Sequence, residues 1–184
     1  MKRSKLVVFI SALLIVVGII ISMVRLVVMP RESVWINVKL LLSVVTLMFA
    51  MFYTLYGYKK DASLFYKIYM FLFAANALLS MLILIVTGKM ITYSDGIIMA
   101  FHMGWCIAAG MLAFAQNMGR KTSLKAAVIA LVLNIFTCGY AMITSAEPMK
   151  EFFGSFQTVV LAFLAATFVV AKYQDKEARG KHEA

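Results

Sequence analysis

The sequence predicts an all-α, polytopic membrane protein folded as a bundle of six transmembrane helices, and three observations support this fold class. First, 64% of the 184 residues are hydrophobic and 14% are charged, whereas soluble domains have roughly 45–50% and about 25%. Second, the apolar residues fall into six runs of about twenty residues, the length with which an α-helix crosses a hydrocarbon core. Third, the eight acidic residues lie in short polar gaps or near the C-terminus.

The six runs predict a single domain without a separate soluble part. Helices and not strands are expected, because a strand crosses a membrane with only about ten residues of alternating polarity, about half the length of each run. The predicted spans cover residues 6–29, 34–58, 63–87, 96–118, 123–144 and 148–173, and a short cytoplasmic tail covers residues 174–184.

Local signals justify the first three spans. Span one follows a basic start and stops before Pro30. It is too long for the apolar region of a signal peptide and lacks a small-residue cleavage site, so an uncleaved anchor is expected. Span two runs from Val34 to Tyr58. Span three has Asp61 as a predicted N-cap and Gly88 as a predicted stop.

Similar signals justify the last three spans. Span four is predicted to be capped by Ser94 or Asp95. Span five runs from Ser123 to Thr144, after a basic turn. Span six starts at Pro148, a residue that suits the first turn of a helix, and ends near Tyr173.

The basic residues predict the orientation of the bundle. Short connectors make consecutive helices antiparallel neighbours, so alternate polar gaps share one side. One side carries 13 of the 18 Lys and Arg residues: Lys2, Arg3, Lys5, Lys59, Lys60, Lys67, Arg120, Lys121, Lys125, Lys172, Lys176, Arg179 and Lys181. The positive-inside rule therefore places both termini in the cytoplasm of a protein of the plasma membrane.

Several function classes are disfavoured by the same residues. The net charge of +10 comes from small groups at helix ends without an aromatic-interleaved basic face, so it favours anionic lipid and no nucleic-acid partner. No Gly-x-Ser-x-Gly, His-Glu-x-x-His or P-loop motif is present, and we expect neither an enzyme nor a cofactor. Cys106 and Cys138 lie within apolar runs and are interpreted as small buried hydrophobes.

Asn76 and Asn134 are the polar residues closest to the centres of their spans. Polar groups at membrane depth need partners. One interpretation is that the two amides bond to neighbouring helices and stabilise the bundle. The alternative is that they face a shared cavity and bind a polar ligand.

Three further residues are candidate ligand-binding groups. His102 lies about two turns inside span four, where it is either a satisfied interior histidine or a proton-dependent gate. His102 and Cys106 are four residues apart, but a metal site would need ligands that the spans lack, so no metal is expected. Lys39 either extends to the headgroups or binds an anionic substrate together with Arg25. Gln157 belongs to a polar cluster on span six.

Two hypotheses of function follow from these residues. The first, slightly favoured, is a membrane subunit that binds or transports a small-molecule ligand. The second is a non-transporting interaction, assembly or regulatory protein that docks on a partner membrane protein or forms a homo-oligomer in the lipid bilayer. An interior cavity containing Asn76, Asn134 and His102 would favour the first, and a solid interior with an exposed face of small residues would favour the second.

Overall fold

The computed structural model of the protein describes residues 5–28, 34–56, 62–86, 93–114 and 118–180, and these residues form six α-helices. The helices are α1 (Lys5–Val28), α2 (Val34–Tyr56), α3 (Ala62–Val86), α4 (Tyr93–Phe114), α5 (Arg120–Thr144) and α6 (Pro148–Gly180). Each contains a stretch that is long and apolar enough to cross a membrane. The predicted all-helical fold with six such helices is therefore confirmed, and it is consistent with an integral membrane protein.

The helix bounds differ from the predicted spans mainly where polar residues continue a helix. Helix α4 begins at Tyr93, so Ser94 and Asp95 lie inside its first turn and do not precede it. Helix α6 begins at Pro148 as predicted but continues to Gly180, beyond the predicted end near Tyr173. Lys, Glu, Gln and Ala favour helix, so a helix can outlast its apolar run. The predicted cap Asp61 and stop Gly88 lie outside the described residues.

The helices pack as a closed ring in chain order. Each helix contacts the next one, and α1 also contacts α6. Helix α6 reaches further inward and contacts α2 and α3 as well. It has the largest buried share of the six, because it packs against four other helices.

The bundle has two ends that differ in their connections. We call the end at which α1 begins and α6 finishes the terminal end, and the opposite end the distal end. The distal end carries the α1–α2, α3–α4 and α5–α6 connections. Because consecutive helices run in opposite directions, the C-terminal halves of α1, α3 and α5 lie at the distal end together with the N-terminal halves of α2, α4 and α6.

Large side chains fill the terminal half of the ring. The Phe168 ring centroid lies 4.6 Å from that of Tyr53 and 4.8 Å from that of Tyr69, and both contacts are edge-on, an arrangement that aromatic pairs prefer. The Tyr69 hydroxyl donates a hydrogen bond of 2.7 Å to the carbonyl of Leu161. Helix α6 is thus held against α3 by both ring contacts and a buried hydrogen bond.

A second hydrogen-bond pair joins α6 to the start of α5. The Tyr173 hydroxyl donates to the Met118 carbonyl at 2.6 Å and lies 3.0 Å from the Ser123 hydroxyl. A phenol has one proton, so Ser123 donates to Tyr173. Beside it, the Lys172 ammonium lies 4.7 Å from the centroid of the Tyr66 ring, within the range of a cation–π contact.

Two glycines mark close helix approaches. A Cβ added to Gly18 of α1 would lie 2.9 Å from Cδ2 of Leu47 on α2. A Cβ added to Gly104 of α4 would lie 2.8 Å from Cδ1 of Leu133 on α5. These helix pairs approach closely because the glycines carry no side chain there.

Candidate functional site

A cavity of about 320 Å³ opens inside the ring at the distal end, and all six helices contribute to its wall. The lining residues are Arg25 of α1, Ile36 and Lys39 of α2, Ser80, Ile83 and Leu84 of α3, Ile98 and His102 of α4, Thr137, Ala141 and Thr144 of α5, Ser145, and Glu151, Gly154 and Ser155 of α6.

Helical periodicity explains why these residues share the wall. Residues three or four apart lie on the same face of a helix. Ile98 and His102 are four apart on α4, and Thr137, Ala141 and Thr144 follow at intervals of four and three on α5. Each helix therefore presents one stripe to the cavity.

The lining also has a depth order. Thr137 lies deeper than Thr144 by about 10 Å, at 1.5 Å per residue. Ser80, His102, Thr137 and Ser155 are the lining residues of α3, α4, α5 and α6 that lie furthest from the distal end of each helix, and we call these four residues the floor. The Ser80 hydroxyl donates to the backbone carbonyl of Asn76 at 2.8 Å, so the floor is continuous with the packed interior below it.

Charged side chains stand on the cavity wall. The Arg25 guanidinium donates through Nη1 to the carbonyl of Gly154 at 3.3 Å, which links α1 to α6. Lys39 comes from α2. Glu151 lies in the first turn of α6 and lines the cavity.

His102 is buried at the floor with a defined hydrogen-bonding role. Its Nδ1 lies 2.9 Å from the carbonyl of Ile98. A carbonyl only accepts hydrogen bonds, so Nδ1 carries the hydrogen, and Nε2 of the neutral ring is an acceptor. The ring also contacts the indole of Trp105, with 5.9 Å between centroids. The imidazole is thereby oriented by its own helix.

Asn76 lies beneath the floor in a hydrogen-bonded network between α3 and α2. Its Oδ1 accepts from the Ser43 hydroxyl at 2.7 Å, and its Nδ2 donates to the Thr46 hydroxyl and to the Leu72 carbonyl, both at 2.9 Å. Asn76 is fully buried and is not one of the lining residues. Its contacts are those of an amide that joins two helices.

Asn134 and Gln157 also lie beside the cavity wall and not on it. Asn134 donates to the Ala130 carbonyl of its own helix at 2.8 Å, one turn below Thr137. Gln157 donates to the Ser22 hydroxyl at 2.7 Å and so joins α6 to α1. Of the five candidates from the sequence, the structure brings Lys39 and His102 together on the cavity and leaves the three amides outside it.

Several lining residues were not candidates in the sequence. Thr137 and Thr144 are seven residues apart on α5 and are followed by Ser145. Hydroxyls at that spacing share a helix face, which is the signal that could have identified them. Glu151 gave no such signal, because acidic residues are common in the first turn of a helix.

The sulfur and acidic groups form no further cluster. Among the described residues, no three His, Cys, Asp or Glu side chains lie together as metal ligands do. The Cys106 thiol contacts the Met81 sulfur at 3.9 Å, and Cys138 is a buried free thiol. The described lining of the cavity offers charged, hydrogen-bonding and aliphatic groups.

Comparisons with protein-family models, with curated proteins and with solved structures find no match to this chain.

Proposed function

We propose that this protein is an integral membrane protein with both termini in the cytoplasm, and that it captures a small molecule in the distal cavity as a binding or transport subunit. The observation that carries the proposal is the cavity itself, since side chains from all six helices converge on it.

The size and lining of the cavity are those of a small-molecule site. Its volume of about 320 Å³ is at the lower end of the range for ligand pockets, roughly 300–1,000 Å³. Ile83, Leu84 and Ile98 supply an apolar surface, while hydroxyl, imidazole and charged groups supply polar contacts. A mainly apolar pocket with a few convergent polar groups is the usual form of a binding site.

The distribution of basic residues supports an orientation in which the cavity faces outward. The basic side of the sequence corresponds to the terminal end of the bundle, and cytoplasmic loops are enriched in Lys and Arg. The distal end then faces the outside of the cell. In this orientation a ligand enters the cavity from the external medium.

The packed terminal half favours capture over free passage. Phe168, Tyr53 and Tyr69 fill the ring below the cavity floor. A ligand crosses the bundle only if these side chains move, so transport requires a rearrangement or a partner protein. The cavity supports binding over the lateral-docking hypothesis, which expects a solid interior, although of the three residues named for such a cavity only His102 lines it. The proposed role involves no catalytic step.

A bulky substitution inside the cavity tests the proposal. Ala141 is 8% exposed and lines the cavity, so Ala141→Trp fills it. Ile143 is 85% exposed on the same helix, so Ile143→Trp is the matched control. Thermal-shift screening of small molecules against purified protein should yield ligands that stabilise the wild type and Ile143→Trp but not Ala141→Trp.

Native mass spectrometry of the same three proteins in mild detergent provides an independent measurement. A bound small molecule should accompany the wild type and the control and be absent from Ala141→Trp. Ligands that stabilise all three proteins equally would bind elsewhere, and the proposed site would be wrong.

A further inference from the structure

We infer that the floor of the distal cavity binds a hydrogen-bond donor of the ligand, so that the end of the ligand that enters first carries a hydroxyl or another group with a polar hydrogen. This inference rests on the proposed function and adds the chemical class of the ligand. The preference concerns hydrogen bonding at the floor and applies to a ligand of any net charge.

The four floor residues reach a similar depth on four different helices. Ser80 lies six residues before the end of α3, and Thr137 lies seven residues before the end of α5. Ser155 lies seven residues after the start of α6, and His102 lies nine residues after the start of α4. At 1.5 Å per residue, these positions are about 9–14 Å from the distal ends of their helices. The inner end of a ligand in the cavity therefore meets this set of side chains.

The hydroxyls of Ser80 and Thr137 already use their hydrogens within their own helices. Ser80 donates to the backbone carbonyl of Asn76 at 2.8 Å, and Thr137 donates to that of Leu133 at 2.8 Å. A hydroxyl has one hydrogen and two lone pairs. Each of these oxygens therefore accepts a hydrogen bond from a ligand, and it donates to a ligand only if it gives up its bond to the helix.

His102 adds a third acceptor to the floor. Its Nδ1 carries the hydrogen that it shares with the Ile98 carbonyl at 2.9 Å, so the neutral ring offers Nε2 as an acceptor. Among the described residues, Nε2 has no hydrogen-bond partner, and it is not fully enclosed by protein atoms. A ligand in the cavity can therefore reach it.

Ser155 completes the floor with a hydroxyl that both donates and accepts. Within the described part of the chain its side chain makes no hydrogen bond, so its hydrogen is not committed to the helix. A ligand hydroxyl suits the whole floor, because it donates to one of the three acceptors and accepts from Ser155. A ketone oxygen only accepts, and it leaves the acceptors of the floor without the hydrogen that they would receive. Unpaired polar groups in a buried site weaken binding.

The indole of Trp105 provides a reporter next to the floor. The chain has two tryptophans, and Trp35 is exposed, so a Trp35→Phe background leaves the fluorescence of Trp105, whose ring contacts that of His102.

The probes are cyclohexanes, a size suited to a cavity of about 320 Å³. They carry a hydroxyl or an oxo group at one end. The opposite end carries a carboxylate, a methyl ester or a trimethylammonium group. None of these three groups has a polar hydrogen, so the two probes of each charge class differ only in the donor.

Titration of the six probes in detergent tests the ligand class in the unmutated cavity. In each charge class that binds, the hydroxy probe should bind about tenfold more tightly than the oxo probe, as expected for one buried hydrogen bond made or left unmade. Removing the three acceptors together, by Ser80→Ala, Thr137→Val and His102→Phe, should reduce this preference to about twofold or less.

Thr144→Val is the matched control for the floor variants. Thr144 lines the same cavity nearer the distal end, and its hydroxyl also donates within its helix, to Tyr140 at 2.9 Å. This variant should keep the full preference. Thermal unfolding shows whether the combined floor variant folds. If it does not fold, the three single variants replace it, and at least one of them should reduce the preference about threefold or more.

The outcomes separate this inference from the proposed function. Equal or tighter binding of the oxo probes, with a response that Ala141→Trp abolishes, overturns the donor preference and leaves the cavity as a binding site; a donor such as the Lys39 ammonium would then reach the floor. A preference that no floor variant lowers, or that Thr144→Val lowers equally, also overturns the inference. The same holds if none of the six probes binds. Probe binding that persists in Ala141→Trp overturns the cavity as the site and both proposals with it.

Discussion

The terminal and distal halves of the bundle differ in what occupies the centre of the ring of six helices. In the terminal half, aromatic rings from α2, α3 and α6 meet edge to edge at the centre. In the distal half, hydroxyl, charged, aliphatic and small side chains surround an open cavity of about 320 Å³. The difference suggests that the terminal half holds the helices together and leaves the distal half open for binding.

The largest effect should come from removing an aromatic ring from the terminal half. Phe168 is 1% exposed between Tyr53 and Tyr69, so Phe168→Ala should cost about 3 kcal/mol of unfolding free energy through lost packing and a new cavity. Phe163→Ala on the same helix, at a position 42% exposed, is the control. Thermal unfolding in detergent measures both variants. Equal losses would contradict the idea that the centre of the terminal half stabilises the bundle.

A smaller effect is expected at the boundary between the halves. Asn76→Ala removes bonds to Ser43 and Thr46 on another helix and should cost about 1–2 kcal/mol, as interhelical hydrogen bonds do. Asn134→Ala removes a bond within its own helix and should cost less. Stability and ligand affinity should be measured together. If either variant loses affinity while its stability is unchanged, the amide belongs to the binding site and not to the framework.

The smallest effect concerns the close contact between α4 and α5. Gly104→Ala brings a Cβ to 2.8 Å from Leu133, and the overpacking should outweigh the helix propensity of Ala by no more than about 1 kcal/mol. Gly110→Ala on the same helix meets nothing within 4 Å and should be stabilising by about 0.5–1 kcal/mol. Opposite signs in thermal unfolding are the expected result. A stabilising Gly104→Ala would show that Leu133 moves aside freely.

The helices could be predicted from sequence because the length of an apolar run is a local property. Span positions followed from runs of about twenty residues and from Pro148 at the start of α6. Helix ends such as Gly180 were missed because helix propensity, and not hydropathy, decides where a helix stops.

The site could be predicted only in part, because the side chains that meet in a cavity depend on how each helix is rotated about its axis. His102 and Lys39 were candidates for local reasons, as polar groups within apolar runs. Lys39 was already paired with Arg25, because the two stand on adjacent spans, but their meeting with Glu151 requires the closure of α1 on α6, which is a contact between the first and the last of the six helices. From the sequence alone, an amide that joins two helices could not be distinguished from an amide that binds a ligand. The hydrogen-bond partners of Asn76 were known only from the structure.

The inward position of α6 has a consequence for biosynthesis. This helix is synthesised last of the six, yet it contacts α1, α2, α3 and α5. Until it arrives, Ser22 lacks its bond to Gln157, and Arg25 lacks the carbonyl of Gly154. A chain that stops before Pro148 would therefore leave α1 without these two side-chain contacts with α6, so the last helix to be made is the one that closes the ring.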